Sequence, residues 1–399
     1  MDKFRLAVFN TQAPHLYRGG VERRINETMH RLAERVDITV YSGSKAGFKK
    51  PFNFEGVAFV PLASTDRVYP LDNWTFNRSV SKTFFDADVY EAHNDNGYGL
   101  LKALKTTASY RRAFVHTIHG VLADEFEQAK LSGGLSFRDS VAIRFMARLA
   151  RLERETAREA NLIVTISQYS FEKIKKHYSE VDSSKVRIVP NGVDLKKYVL
   201  PENVLTFKRR FGLDEAAPVV LFVGSLIHRK GVLFLAQIAK RVVKTVPNTQ
   251  FVVVGEGPLK DLLINILAVD NLVGNFVFKS GLTEEALSSL YGCSDVFVLP
   301  SIQEGQGIVL LEAAASEKPV VAFNIGGVNE VVLEGKTGFL ASRGNCNEFA
   351  EALLKLLGDA VLRQKMGEAG RRFVGENFTW DICAQKMLNV YREAMEIII

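Results

Sequence analysis

Two glutamates, Glu304 and Glu312, flank a glycine-bearing turn in the run Leu299-Pro300-Ser301-Ile302-Gln303-Glu304-Gly305-Gln306-Gly307-Ile308-Val309-Leu310-Leu311-Glu312. An apolar strand ends at Pro300 and a helix opens near Gly307. Unpaired backbone N–H groups and the positive end of the helix dipole therefore collect at the turn. Such an end attracts an anion, and glycines at 305 and 307 let the backbone approach a phosphate closely. Glu312 lies roughly 7 Å along the helix axis. The two carboxylates thus bracket the phosphate position and suit hydroxyls on either side of it, a sugar at Glu304 and a ribose at Glu312. The same residues also fit an ordinary crossover in which Glu304 caps the helix and Glu312 is solvated. Pattern alone leaves both readings open.

The elements that must position these groups alternate. Short runs rich in Val, Ile and Phe are separated by stretches of helical period, the pattern of βα units and a parallel sheet. Strands are predicted at Arg5–Asn10, Asp37–Ser42, Val57–Leu62, Asp88–His93, Ala113–Gly120, Leu162–Ser167 and Val186–Pro190. The pattern restarts at Val219–Gly224 and continues through Phe251–Gly255, Phe276–Lys279, Val296–Pro300 and Pro319–Phe323, which makes a second sheet. Pro190-Asn191-Gly192-Val193-Asp194 is a turn signal between the two, and the tail from Asn345 reads as helical throughout. His119 follows a strand, at the end where open α/β sheets bind ligands, while His116 fits a structural role. His93, Asn94 and Tyr98 end the preceding strand.

The E-x7-E spacing of Glu304 and Glu312, and the whole run from Pro300 to Val321, strongly resemble the signature of the retaining glycosyltransferases of family 4 (glycosyl transferases group 1). The resemblance covers nearly the whole chain. It includes Gly19-Gly20-Val21-Glu22-Arg23, His119-Gly120, Pro190-Asn191-Gly192-Val193-Asp194, Lys230-Gly231 and Gly326-Gly327-Val328-Asn329-Glu330. It implies an α/β protein of two Rossmann-like domains, the GT-B fold, with the active site in the interdomain cleft. Residues 1–192 would bind the acceptor, 193–375 the nucleotide sugar, and a helix over 376–399 would pack back across the junction. The implied reaction moves a hexosyl group, with retention, from a UDP- or GDP-sugar to a hydroxyl of a lipid-linked, glycan or small anionic acceptor, without metal or other cofactor.

Carried over residue by residue, the resemblance makes Glu304, His119 and Lys230 catalytic, with Lys230 on the donor diphosphate and His119 on the transferred sugar. Donor contacts fall to Gly20, Ser225, Arg229, Lys230, Glu256, Gly257, Gly305, Gly307, Ile308, Val309 and Glu312. His93, Asn94 and Tyr98 fall on the acceptor side. One departure stands out: the family usually has Arg directly after the glycine of this strand, and here Ser225 follows Gly224 while Arg229 neighbours Lys230. Either Arg229 replaces that guanidinium or one cation suffices. A sugar-nucleotide epimerase, a phosphorylase and a catalytically silent nucleotide-sugar-binding protein are the alternatives on the same fold.

Other motifs point elsewhere and fail on context. Asp86-Ala87-Asp88 has the D-x-D spacing of a metal site but leads straight into a strand, so no metal is expected there. Gly255-Glu256-Gly257-Pro258 begins like a dinucleotide loop, but Pro258 stands where the loop would continue. Cys293, Cys346 and Cys383 are too widely spaced for a zinc knuckle or a redox pair. The opening MDKFRLAVFN has no apolar h-region, and no apolar run approaches the ~20 residues that span a bilayer, so a cytoplasmic protein is expected.

Charge is uneven: residues 1–200 hold 31 Lys/Arg against 23 Asp/Glu, and residues 201–399 hold 20 against 22. The basic half suits an anionic partner, and without an aromatic-basic platform motif nucleic acid is not expected. Arg138, Arg144, Arg148, Arg151, Arg154 and Arg158 surround an apolar stripe of Val141, Phe145, Met146, Leu149 and Leu152. That composition fits a helix lying on the anionic inner face of a membrane. It equally fits a domain helix whose arginines pair with Glu153, Glu155 and Glu159.

Overall fold

A computed structural model describes residues 3–17, 19–45, 47–65, 71–106, 112–131, 137–199 and 203–398, with the backbone alone at 129–131 and 137–144. The chain folds as two compact units, residues 1–190 with 380–399, and residues 191–379.

The first unit begins with β1 (Phe4–Asn10), α1 (Gly20–Leu32), β2 (Val36–Gly43), β3 (Phe52–Phe54), β4 (Val57–Leu62) and α2 (Leu71–Val80). It continues through β5 (Val89–His93), α3 (Gly97–Thr106), β6 (Ala113–Ile118), α4 (Leu122–Leu131), α5 (Phe137–Glu159), β7 (Leu162–Thr165), α6 (Gln168–His177) and β8 (Val186–Ile188). Its sheet runs β3-β4-β2-β1-β5-β6-β7-β8. Every pairing is parallel except β3 with β4. Helices cover such a sheet on both faces, so β5 and β6 are buried at every position.

The second unit contains α7 (Val204–Arg210), β9 (Val219–Val223), α8 (Phe234–Thr245), β10 (Gln250–Val254), α9 (Lys260–Val269), β11 (Phe276–Lys279) and α10 (Glu284–Cys293). There follow β12 (Val296–Leu299), α11 (Ile308–Ala315), β13 (Val320–Phe323), β14 (Gly338–Ala341), α12 (Cys346–Gly358) and α13 (Ala360–Asn377). Its sheet is parallel, in the order β11-β10-β9-β12-β13-β14. The last helix, α14 (Trp380–Ile397), belongs to the first unit, where it packs on α1, β5 and β6.

Three features depart from the sequence reading. β3 and β14 are edge strands of three and four residues, too short to show an alternating pattern, and β3 is exposed along its length. Gly338 opens β14 because a Cβ there would lie 2.2 Å from the Val320 carbonyl oxygen. The C-terminal tail from Asn345 is helical, as the sequence predicts, but it is divided into three helices. It breaks at Asp359, whose carboxylate caps α13 through Leu362 N (2.8 Å), and again at Phe378 and Thr379. No helix among the described residues is long and apolar enough to cross a membrane.

Candidate functional site

In the second sheet β9 lies between β10 and β12, and the chain runs outward from β9 in one direction and from β12 in the other. A crevice opens where such directions diverge, at the carboxyl ends of the strands. The loops that follow β9 and β12 meet there. Ile302 N donates to Arg229 O (2.9 Å), and Gly231, at φ +63°, approaches so closely that a Cβ would lie 1.7 Å from Pro300 O. Only glycine fits that position. The result places Lys230 Nζ 2.5 Å from Glu304 Oε2, with both side chains largely buried. The backbone of Glu304 is held in turn by Gly327, whose N–H donates to its carbonyl (3.2 Å), beside Gly326 at φ +52°.

Helix α11 starts after Gly307, at φ +89°, and no side chain caps it. Glu304 therefore serves the cation rather than the helix end. Nor is Glu312 solvated: it is 1% exposed and accepts a hydrogen bond from the Tyr291 hydroxyl at 2.8 Å. The ordinary-crossover reading of the two glutamates fails at both residues. Ile308 and Val309 are half-buried at the start of α11, with Gly305 half-buried in the turn before it. Ser225 and Arg229 are exposed on the β9 loop, beside Lys230. Glu256 is exposed too, and hydrogen bonds from Ser280 and Lys260 hold its carboxyl below the usual range. Gly257 lies against Leu226, where a Cβ would come 2.5 Å from the carbonyl oxygen.

Sequence reasoning missed two supports here, Tyr291 and Gln306. The Gln306 side chain accepts from Asn191 N (2.9 Å), which ties the turn before α11 to the start of this unit's chain. Neither carries a sequence signal, since each lies far along the chain from its partner.

The first sheet repeats the geometry, with its directions diverging between β1 and β5. β5 ends at His93, and Asn94 follows at φ +50°, a conformation that Asn tolerates better than most residues. Asn94 then orders the β6 end twice: its side chain accepts from His119 N (2.9 Å) and its carbonyl from His116 Nε2 (2.6 Å). His93 Nδ1 lies 2.9 Å from His119 Nε2. Burial pushes the His93 and His116 imidazoles down to about 4, and burial together with His93 puts His119 well below its ordinary value. All three rings are neutral at pH 7. Tyr98 is half-buried, with Lys102 Nζ 4.6 Å from its ring centroid.

Gly20 opens α1, but the carboxylate of Glu22 folds back over Gly19, where a Cβ would lie 2.1 Å from Glu22 Oε2. Asn10 Nδ2 donates to Glu22 Oε1 (3.1 Å), and burial raises the Glu22 carboxyl above its ordinary value.

Asp86 and Asp88 hold arginines: Arg5 reaches both, at 2.5 and 3.0 Å, and Arg112 lies 3.3 Å from Asp86. Among the described residues, the one group with metal-ligand spacing is Asp124, Glu127 and His177, and Lys173 and Lys176 pair with its carboxylates at 2.6 and 3.0 Å. On α5, Arg148, Arg151 and Arg158 are exposed and Arg154 lies 3.5 Å from Glu180, while Phe145 is also exposed. Arg158 pairs with Glu159 as the charge pattern suggests, but Glu153 has no arginine; it is buried against Tyr178. Arg138, Val141 and Arg144 lie outside the described side chains, as do residues 46 and 66–70 of the loops after β2 and β4.

Two families match this chain. The one described as Glycosyltransferase Family 4 matches residues 18–197, and the one described as Glycosyl transferases group 1 matches residues 204–373. An uncharacterised glycosyltransferase of Methanocaldococcus jannaschii is 28% identical over 72% of this chain and 71% of its own length. The GDP-mannose-dependent monoacylated alpha-(1-6)-phosphatidylinositol monomannoside mannosyltransferase of Corynebacterium glutamicum is 29% identical over 59% of this chain; the match spans 63% of that protein, just under two thirds. Among solved structures, the sucrose-phosphate synthase of Thermosynechococcus elongatus has the same fold, with a TM-score of 0.82 at 18% identity over 98% of this chain and 99% of that one.

Proposed function

Since this chain belongs to the GT-B glycosyltransferases of family 4 and group 1, we propose that it moves a hexosyl group from a UDP- or GDP-sugar to an acceptor hydroxyl, with retention and without a metal. The observation that carries this reading is the Lys230–Glu304 contact at the strand-direction switch, with Glu312 buried beyond it on α11. A diphosphate arriving at the N-terminus of α11 competes with Glu304 for Lys230. The ammonium moves to the phosphate, and the released carboxylate accepts hydrogen bonds from sugar hydroxyls. Glu312, oriented by Tyr291, takes the ribose.

As the anomeric carbon–oxygen bond breaks, its electron pair passes to the diphosphate, whose charge Lys230 and the helix end stabilise. The acceptor oxygen then attacks from the same face and gives its proton to the departing phosphate. His119 serves the transferred sugar, and His93, Asn94 and Tyr98 the acceptor side. A lipid-linked, glycan or small anionic acceptor fits the basic first half of the chain. The Corynebacterium relative, whose name specifies GDP-mannose and a monoacylated phosphatidylinositol monomannoside, supports a GDP donor and a lipid acceptor among these. The protein would work in the cytoplasm, in peripheral contact with an anionic membrane face.

The test is a screen of UDP- and GDP-sugars against lipid and soluble acceptors, with EDTA present and the product anomer read by NMR. Retained configuration in an acceptor-dependent product is expected. Epimerised donor without acceptor would replace the reading with the epimerase, and binding without turnover would replace it with the silent nucleotide-sugar-binding protein. An inverted product, or loss of activity in EDTA restored by Mg2+ or Mn2+, would refute the mechanism.

A further inference from the structure

Behind the β5 and β6 ends lies a buried carboxylate that the reaction as described does not use. Glu91, in the middle of β5, is 0% exposed. Its Oε1 accepts from the Thr117 hydroxyl at 2.5 Å, and its Oε2 accepts from the hydroxyl of Tyr391, on α14, also at 2.5 Å. Two residues along β5, on the same face, His93 turns Nε2 toward Glu91 Oε1 at 3.6 Å. The other charged group acting on the ring is Arg24 of α1, which is 1% exposed and donates to Val189 O at 2.8 Å; near Arg24 and Glu91 lies the Cys383 thiol of α14, which burial pushes up and keeps neutral.

A neutral imidazole carries one proton, and the hydrogen bond at one nitrogen decides what the other nitrogen presents. A lone pair on His93 Nε2 would face the carboxylate and be repelled, whereas an N–H there is attracted. His93 Nδ1 is then the acceptor, and its neighbour at 2.9 Å, His119 Nε2, must donate. That leaves the lone pair of His119 on Nδ1, which has no hydrogen-bond partner among the described residues, in a side chain that is half-buried. His116 is not a competing donor, because its Nε2–H is committed to Asn94 O.

We propose that Glu91, held by Thr117 and Tyr391, is a positioning residue that fixes the tautomers of His93 and His119, so that His119 presents an acceptor nitrogen to a sugar hydroxyl. The last clause rests on the assignment of His119 to the transferred sugar; the tautomer chain does not.

The experiment is long-range 1H–15N correlation of the whole protein labelled at histidine, with His93 and His119 assigned from single His→Gln variants. Wild type is expected to show both rings as neutral Nε2–H tautomers at pH 7. Glu91→Gln, whose amide can turn an N–H toward His93, is expected to shift both rings to the Nδ1–H form and to lower kcat at least about tenfold, with the nucleotide Kd unchanged. Tyr391→Phe leaves the carboxylate in place and should keep the wild-type tautomers. Finding His119 as Nδ1–H or doubly protonated in wild type overturns the proposal even if Glu91→Gln does not fold. Unchanged tautomers in a folded Glu91→Gln overturn the part assigned to Glu91. Should the tautomers behave as expected while His119→Ala retains full kcat, the sugar assignment fails and the tautomer chain stands.

Discussion

Each of the two glutamates in the E-x7-E run has one partner that separates its role from the other's. Glu304 faces Lys230, so under the proposed reaction Glu304→Gln would remove a carboxylate from the sugar and also free the cation for phosphate. A fall in kcat of about a hundredfold is expected, with affinity for UDP or GDP unchanged or tighter. An unaltered kcat in steady-state kinetics would contradict the assignment. Glu312→Gln should act oppositely, weakening nucleoside diphosphate binding by about 1.5–3 kcal/mol, the range for a hydrogen bond to a charged group. Titration calorimetry with both nucleotides decides, and equal affinity for the preferred one removes the ribose from Glu312. Spacing made these two residues legible because both serve one short turn. Tyr291, which orients Glu312, and Tyr391, which lies three hundred positions from Glu91, were not legible, because such contacts exist only once the sheets have formed.

At the scale of elements, most strands could be read from their apolar runs, since a sheet covered on both faces leaves few polar positions within a strand. The long helix α5 was legible too, but the direction of its polar groups was not. Glu153, in a charged surround, turns inward: its Oε1 accepts from Leu122 N at 3.0 Å and from the Tyr178 hydroxyl at 2.6 Å. Burial pushes its carboxyl up to about 8, against 4.5 for an ordinary glutamate. Below about pH 4.5 both folded and unfolded chains hold the proton, and no stability is lost. Between about 4.5 and 8 the unfolded chain ionises while the folded one does not, so stability falls as pH rises. Glu153→Gln abolishes that dependence. Thermal melts from pH 5 to pH 8 should show the variant gaining on wild type by up to about 1.4 kcal/mol per pH unit. A constant difference across that range would show that Glu153 ionises normally in the folded protein.

For the molecule as a whole, the uneven charge gives the first half an excess of eight positive charges over its acids, while the second half has two more acids than bases. Pairs within the half, such as Arg5 with Asp86 and Asp88, leave that excess unchanged, whereas Arg187 with Glu393 sets one of its cations against an acid of the second half. Arg148 and Arg151 remain exposed on α5, on the same helix as an exposed Phe145. Each cation close to an anionic bilayer contributes about 1 kcal/mol, so losing two should lower the fraction bound severalfold. The attraction should also weaken with salt, as the Debye length contracts from ~10 Å at 0.1 M to ~3 Å at 1 M. Sedimentation with anionic and neutral liposomes, comparing wild type with an Arg148→Gln, Arg151→Gln double variant, reads both effects. Weaker pelleting of the variant with anionic vesicles alone, and its disappearance at high salt, are the expected outcome. Equal pelleting of the two proteins, or no preference for anionic lipid, would mean that these arginines form a solvated face and that the acceptor is not met at a membrane through α5.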